Sequence, residues 1–121
     1  MENRLITEQV KHLLKEFPLY SQDAKRKDAF CVSVFYIGNI RWYILEGQQE
    51  AYGYTLYGIV VGLCETEYGY VSADELAEIS INSPLCESTL KVEQDHTFKS
   101  CALKDIQDCR LQKFLSNLYD E

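Results

Sequence analysis

The segment AFCVSVFYIGNIRWYILEG, Ala29 to Gly47, limits what this chain can fold into more than any other stretch. β-branched and aromatic residues fill both sides of Gly38-Asn39, a pair that accepts the positive φ of a tight turn. The segment therefore predicts a β-hairpin. In its first arm Phe30, Val32, Val34 and Tyr36 share one face, and Cys31, Ser33, Phe35 and Ile37 share the other. Apolar groups stand on both faces, so the sheet must be covered at least partly on each side.

Other segments can supply that cover. TEQVKHLLKEF predicts an amphipathic helix with Val10, Leu13, Leu14 and Phe17 at i, i+3, i+4 and i+7, Thr7 as its cap and Pro18 as its stop. The polar stretch SQDAKRKD reads as a solvated loop and GQQEAYG as a turn. YTLYGIVVGL follows as a third strand, central because it is apolar for most of its length, and YGYVS as a short further piece. Ser72, with Glu75 three residues on, forms the capping-box pattern that opens a short helix, ADELAEI. SINSP reads as loop, and STLKVEQDHTF as a fourth strand with Leu90 and Val92 on one face. The chain closes on LKDIQDCRLQKFLSNLY, a second amphipathic helix along Leu111, Phe114, Leu115 and Leu118. Residues 1–121 are thus expected to form a single α+β domain. Its sheet is mainly antiparallel, with four or five strands, an N-terminal and a C-terminal amphipathic helix, and one short helix.

The start, MENRLITEQVKHLLKEF, lacks a basic segment followed by an apolar one, so no secretory signal is expected. The longest apolar stretches fall far short of the roughly 20 residues that span a bilayer. Five cysteines are an odd number and none forms a C-x-x-C pair, which favours reduced thiols over disulfides or structural zinc. These features point to a cytoplasmic protein without a metal or cofactor.

Charge is distributed unevenly. Trp42 to Leu90 holds no Lys, Arg or His, but it holds Glu46, Glu50, Glu65, Glu67, Asp74, Glu75, Glu78 and Glu87. Of 19 acids and 12 bases in the chain, eight acids lie here; the flanks keep 11 acids against 12 bases and sum to +1. Direct nucleic-acid binding is disfavoured, because phosphate contacts need clustered cations. Six of the nine tyrosines also fall in this block. Tyrosine covers sheets, yet it also offers rigid contact area with a polar tip and an aromatic face for cations. Carboxylates beside tyrosines suit a surface that meets Lys and Arg. Glu65, Glu67, Asp74, Glu75 and Glu78 would supply charge, and Tyr68 and Tyr70 contact area.

Catalysis has little to recommend it. There is no phosphate-binding loop, nucleophile elbow or H-E-x-x-H pattern, and neither His12 nor His96 lies near a cysteine on a sharp turn. The second reading is a small ligand-binding or hydrolytic domain in which Glu46, Glu65 and Glu67 line a pocket, with one carboxylate shifted toward neutrality.

Taken with LITEQVKHLLKEFPLYSQDAKRKDAFCVSVFY, the segments RWYILEG, LYGIVVGLCETEYGYVSADELAEI and LKVEQDHTF resemble a bacterial family called domain of unknown function 2958. The likeness rests on Leu5-Ile6-Thr7, Pro18-Leu19-Tyr20, the Trp42-Tyr43 pair with Glu46, Gly58-x-Val60-x-Gly62, and Glu67, Gly69, Tyr70, Ser72, Glu75 and Leu76. Tyr68 stands where that family has leucine and Val71 where it has phenylalanine. The resemblance covers most of residues 5 to 98. It implies a small cytoplasmic accessory protein of plasmids, conjugative elements or phage-like islands, with no catalytic residues to transfer. The expected function is a non-enzymatic interaction module with a basic protein partner. One version is an inhibitor of a host defence nuclease, such as a CRISPR effector or a restriction enzyme.

Overall fold

The computed structural model describes residues 3–82 and 89–120. Its centre is a five-stranded antiparallel sheet in the order β5-β4-β3-β2-β8, built from β2 (Ser33–Ile37), β3 (Ile40–Glu50), β4 (Gly53–Val61), β5 (Glu67–Ser72) and β8 (Glu93–Gln94). Helices α1 (Glu8–Leu14), α2 (Ala73–Glu78) and α3 (Cys109–Tyr119) flank it. The α+β architecture follows the sequence pattern, with five strands in the main sheet. Among the described residues no helix is long and apolar enough to cross a membrane.

The Gly38-Asn39 hairpin forms as expected: Ile37 pairs with Ile40, and Gly38 takes a φ of 55°. The Thr7 hydroxyl accepts the Val10 N–H to cap α1, and the Ser72 hydroxyl accepts the Glu75 N–H to cap α2. One core lies between the sheet and α1 with α2, where Leu5, Val10, Leu14, Phe35, Ile44, Leu56, Leu76 and Val92 are buried. A second lies under α3, where Cys31, Val34, Tyr43, Leu45, Ile59, Leu103, Leu111 and Leu115 are buried. Both faces of the sheet are therefore covered, as the apolar hairpin arms require.

Several local expectations are revised. The even alternation of the first arm breaks between β1 (Phe30–Cys31) and β2, so Phe30 and Val32 join Phe35 and Ile37 in the first core. β4 is interior, but β3 takes the middle place. The stretch GQQEAYG is mostly strand, because β3 and β4 stay paired as far as Glu50 and Gly53. Within SINSP, Ser80–Asn82 form β6 and pair with β7 (Thr89–Lys91); residues 83 and 84 lie outside the described residues. The expected fourth strand is divided between β7 and β8, leaving Leu90 exposed and Val92 buried. A short β9 (Cys101–Ala102), which the sequence pattern did not suggest, pairs with β1. Leu118 is exposed, and Leu111 and Leu115 carry the buried side of α3.

The register shifts between Ile44 and Glu46, a β-bulge opposite the Gly58–Tyr57 step of β4. Leu45 and Glu46 consequently both turn to the α3 side, where a regular strand would have sent them to opposite faces. Glycine answers this distortion at Gly58, where an added Cβ would overlap the Tyr43 carbonyl oxygen. Gly69, its partner on β5, has open space around the same position. Gly58→Ala should therefore lower unfolding free energy by about 2 kcal/mol or more, and Gly69→Ala by no more than about 0.5 kcal/mol, in urea titrations of both variants. Equal losses would place the tight contact elsewhere.

Candidate functional site

The acids singled out from the sequence do not gather on one face. Glu65 lies in the bend after β4 and Glu67 opens β5; both are exposed. Glu67 pairs with Val60 and shares its α1/α2 side, whereas Tyr68 and Tyr70 pair with Ile59 and Tyr57 on the α3 side. The sheet thus separates Glu67 from the tyrosines expected to work with it. Asp74, Glu75 and Glu78 are exposed on α2, which follows the far end of β5. The strand between Glu67 and Ser72 spans about 17 Å.

What these acids share is that none has a cationic partner among the described residues. Every ion pair among the described residues joins a base and an acid of the flanks: Arg4–Glu93, Lys11–Glu8, Lys27–Asp120, Lys104–Asp28 and Arg110–Asp108. None reaches Glu50, Glu65, Glu67, Asp74, Glu75 or Glu78, and Asp74 accepts a hydrogen bond from the Asn3 side-chain amide at 2.8 Å. The ion pairs of the flanks stay within the flanks, and the exposed acids of the central block take part in none of them. Glu87 lies outside the described residues. Glu50 and Asp74 line an open cleft of about 530 Å³ at the β3–β4 turn, together with Tyr52, Tyr54 and Lys11, whose ion pair is with Glu8. Tyr52 is 95% exposed.

Glu46 behaves differently. It is only 2% exposed, and the bulge aims it under the loop that precedes β1. Its Oε1 accepts the Tyr20 N–H at 2.7 Å and its Oε2 the Gln22 N–H at 2.8 Å. The stretch expected to be a solvated loop is therefore anchored from inside. Gln22 is itself buried, donating to the Phe30 and Leu45 carbonyls and accepting the Phe30 N–H. Glu46, Glu65 and Glu67 do not form one pocket: Glu46 lines a cavity with Tyr57 and Tyr119, and Glu67 a smaller one with Trp42 and Val60.

A tyrosine cluster surrounds Glu46 on the α3 side. Tyr57 stacks on Tyr68 with centroids 5.8 Å apart, and meets Tyr70 at 4.7 Å. The Tyr68 and Tyr119 hydroxyls share a hydrogen bond of 2.7 Å. Burial, then the Tyr119 hydroxyl, hold the Tyr68 phenol above its ordinary range. Burial, then the Glu46 charge, raise Tyr57. Tyr70 is pushed up to about 12, first by the neighbouring Tyr20 side chain. Sequence reasoning missed Gln22, which sits in a polar run. It also missed Tyr119, although the Leu111–Leu115 spacing extended by four residues ends on that tyrosine.

Elsewhere the chemistry is sparse. His12 and His96 are exposed, and burial followed by Asp105 raises the Cys101 thiol, which keeps it protonated. Among the described residues no three His, Cys, Asp or Glu side chains are grouped to hold a metal ion. No protein-family model, no curated protein and no solved structure matches the chain.

The Tyr68 shift has a pH consequence. A phenol raised on folding contributes stability that is full below its unfolded value, about 10, and is lost as pH rises toward the folded value. Wild type should exceed Tyr68→Phe by about 1 kcal/mol at neutral pH, from the hydroxyl pair. That margin should shrink between about pH 9 and pH 11 in urea unfolding followed by circular dichroism. A margin that stays constant across this range would contradict the assignment.

Proposed function

We propose that this protein is a non-enzymatic interaction module that docks a basic protein through its unpaired acids. The observation that carries the reading is the pattern of ion pairs. Five flanking bases pair with flanking acids, whereas Glu50, Asp74, Glu75 and Glu78 stand exposed and, among the described residues, in no ion pair; Glu50 and Asp74 share a cleft with Tyr52. Such a surface offers carboxylates to guanidinium and ammonium groups and a ring for them to stack on. Glu65 and Glu67, at the other end of β5, form a second and smaller acidic point.

The resemblance to the mobile-element family supports one specific partner class: a nucleic-acid-binding host defence nuclease whose basic groove this surface occupies. In that role the protein contacts the nuclease and not the nucleic acid, since its own exposed charge repels phosphate.

Tagged protein, used to capture partners from bacterial lysate, tests this directly. The wild type should retain a basic nucleic-acid-binding protein at about 50 mM salt and release it at about 500 mM, because exposed charge pairs are screened. Glu50→Gln, Glu75→Gln, Glu78→Gln together should weaken capture about tenfold, with Glu65→Gln, Glu67→Gln having the smaller effect. Capture that survives high salt and both variants would point to an apolar interface instead.

A further inference from the structure

A buried carboxylate and three aromatic rings meet at a cavity on the α3 side of the sheet, apart from the acidic cleft at the β3–β4 turn. The cavity has a volume of about 370 Å³ and is lined by Glu46, Leu45, Tyr57, Tyr68 and Tyr119, with the exposed Arg26 at its edge. Two backbone N–H groups satisfy hydrogen bonds of Glu46, yet no Lys, Arg or His lies within ion-pair distance of it among the described residues. A buried carboxylate with no counter-charge leaves a negative potential in the adjoining space, because its surroundings screen it weakly. Aromatic faces add the same sign through their quadrupoles. The volume lies near the lower end for small-molecule sites, enough for a compact head group.

The chain already sets one such group against this wall. The Arg26 guanidinium lies 5.7 Å from the centre of the Tyr119 ring, on a residue held at a left-handed φ of 53°. It makes no ion pair with Glu46, so the buried charge remains available to an incoming cation.

We propose that this cavity binds a small organic cation, a guanidinium or alkylated ammonium head group, with Arg26 as a tethered competitor at its edge. The cation stacks on the tyrosine faces and is drawn toward the carboxylate of Glu46. The same head group could belong to a free metabolite or to a side chain of a protein. The site stands whether or not the acidic cleft docks a protein.

The test is an NMR titration of the full chain with methylguanidinium, with uncharged methylurea of the same shape as control, and with the peptide Gly-Arg-Gly. Methylguanidinium should give saturable shifts centred on the Tyr57, Tyr68 and Tyr119 rings, and methylurea none. Tyr57→Ala should weaken binding about tenfold. Arg26→Gln should tighten it severalfold, a direction that a misfolded variant would not produce. Tighter binding of the peptide assigns the head group to a protein side chain; tighter binding of methylguanidinium assigns it to a free ligand. Equal response to methylurea, shifts away from the three rings, or loss of binding in Arg26→Gln with acetate bound in the wild type would overturn the proposal.

Discussion

One carboxylate organises the α3 side of this molecule. Glu46 is buried, and it accepts the backbone N–H groups of Tyr20 and Gln22 from a loop with no regular strand or long helix of its own. That loop holds three non-glycine residues at positive φ: Tyr20 at 74°, Ala24 at 69° and Arg26 at 53°. Left-handed backbone disfavours the loop by about 1–2 kcal/mol at each of these. Hydrogen bonds to a charged acceptor return about 1.5–3 kcal/mol apiece. The two contributions are of one size, so the three backbone contacts of the Gln22 side chain tip the loop into its observed path.

The bulge at Leu45 is what makes the arrangement possible. In an unbroken strand Glu46 would face α1, among Leu14, Ile44 and Leu56, where no loop amide waits for it. With the extra residue it faces Tyr57, and Gly47 takes the tight position against Leu14 and Leu56. Downstream of this one irregularity the sheet divides the chain's two chemistries. Unpaired acids and Tyr52 lie in the solvent at its edges, and the buried acid lies among stacked tyrosines on the α3 face.

Much of the fold was legible in the sequence because it rests on local signals. The Gly38-Asn39 hairpin, the Thr7 and Ser72 caps and the Leu111–Leu115 stripe each depend on residues close in the chain. The charge asymmetry was legible for the same reason, since it needs only counting. Face assignments were not. Glu67 and Tyr68 are neighbours on one strand and so face opposite ways, but which of them faces α3 is fixed by the strand register. Glu46 looked like one more acid of the block, because nothing local announces a bulge or a loop that returns to cover it. Gln22 was hidden for the opposite reason: in a run of Ser, Asp, Lys and Arg, a buried glutamine has the composition of a solvated one.

The most direct test of this account is amide hydrogen exchange at Tyr20 and Gln22, measured in the wild type and in Glu46→Gln at one pH. An amide bonded to a buried carboxylate opens only when the loop lifts from the sheet, so both sites should be protected well beyond Ala24, whose N–H has no hydrogen-bond partner among the described residues, in the wild type. In Glu46→Gln that protection should collapse at the Tyr20 or Gln22 amide left facing the side-chain NH₂, while the Val34 and Ile59 amides of the sheet keep theirs. If Tyr20 and Gln22 exchange in the wild type as fast as Ala24, Glu46 does not hold the loop and the cavity beside it is not a built site.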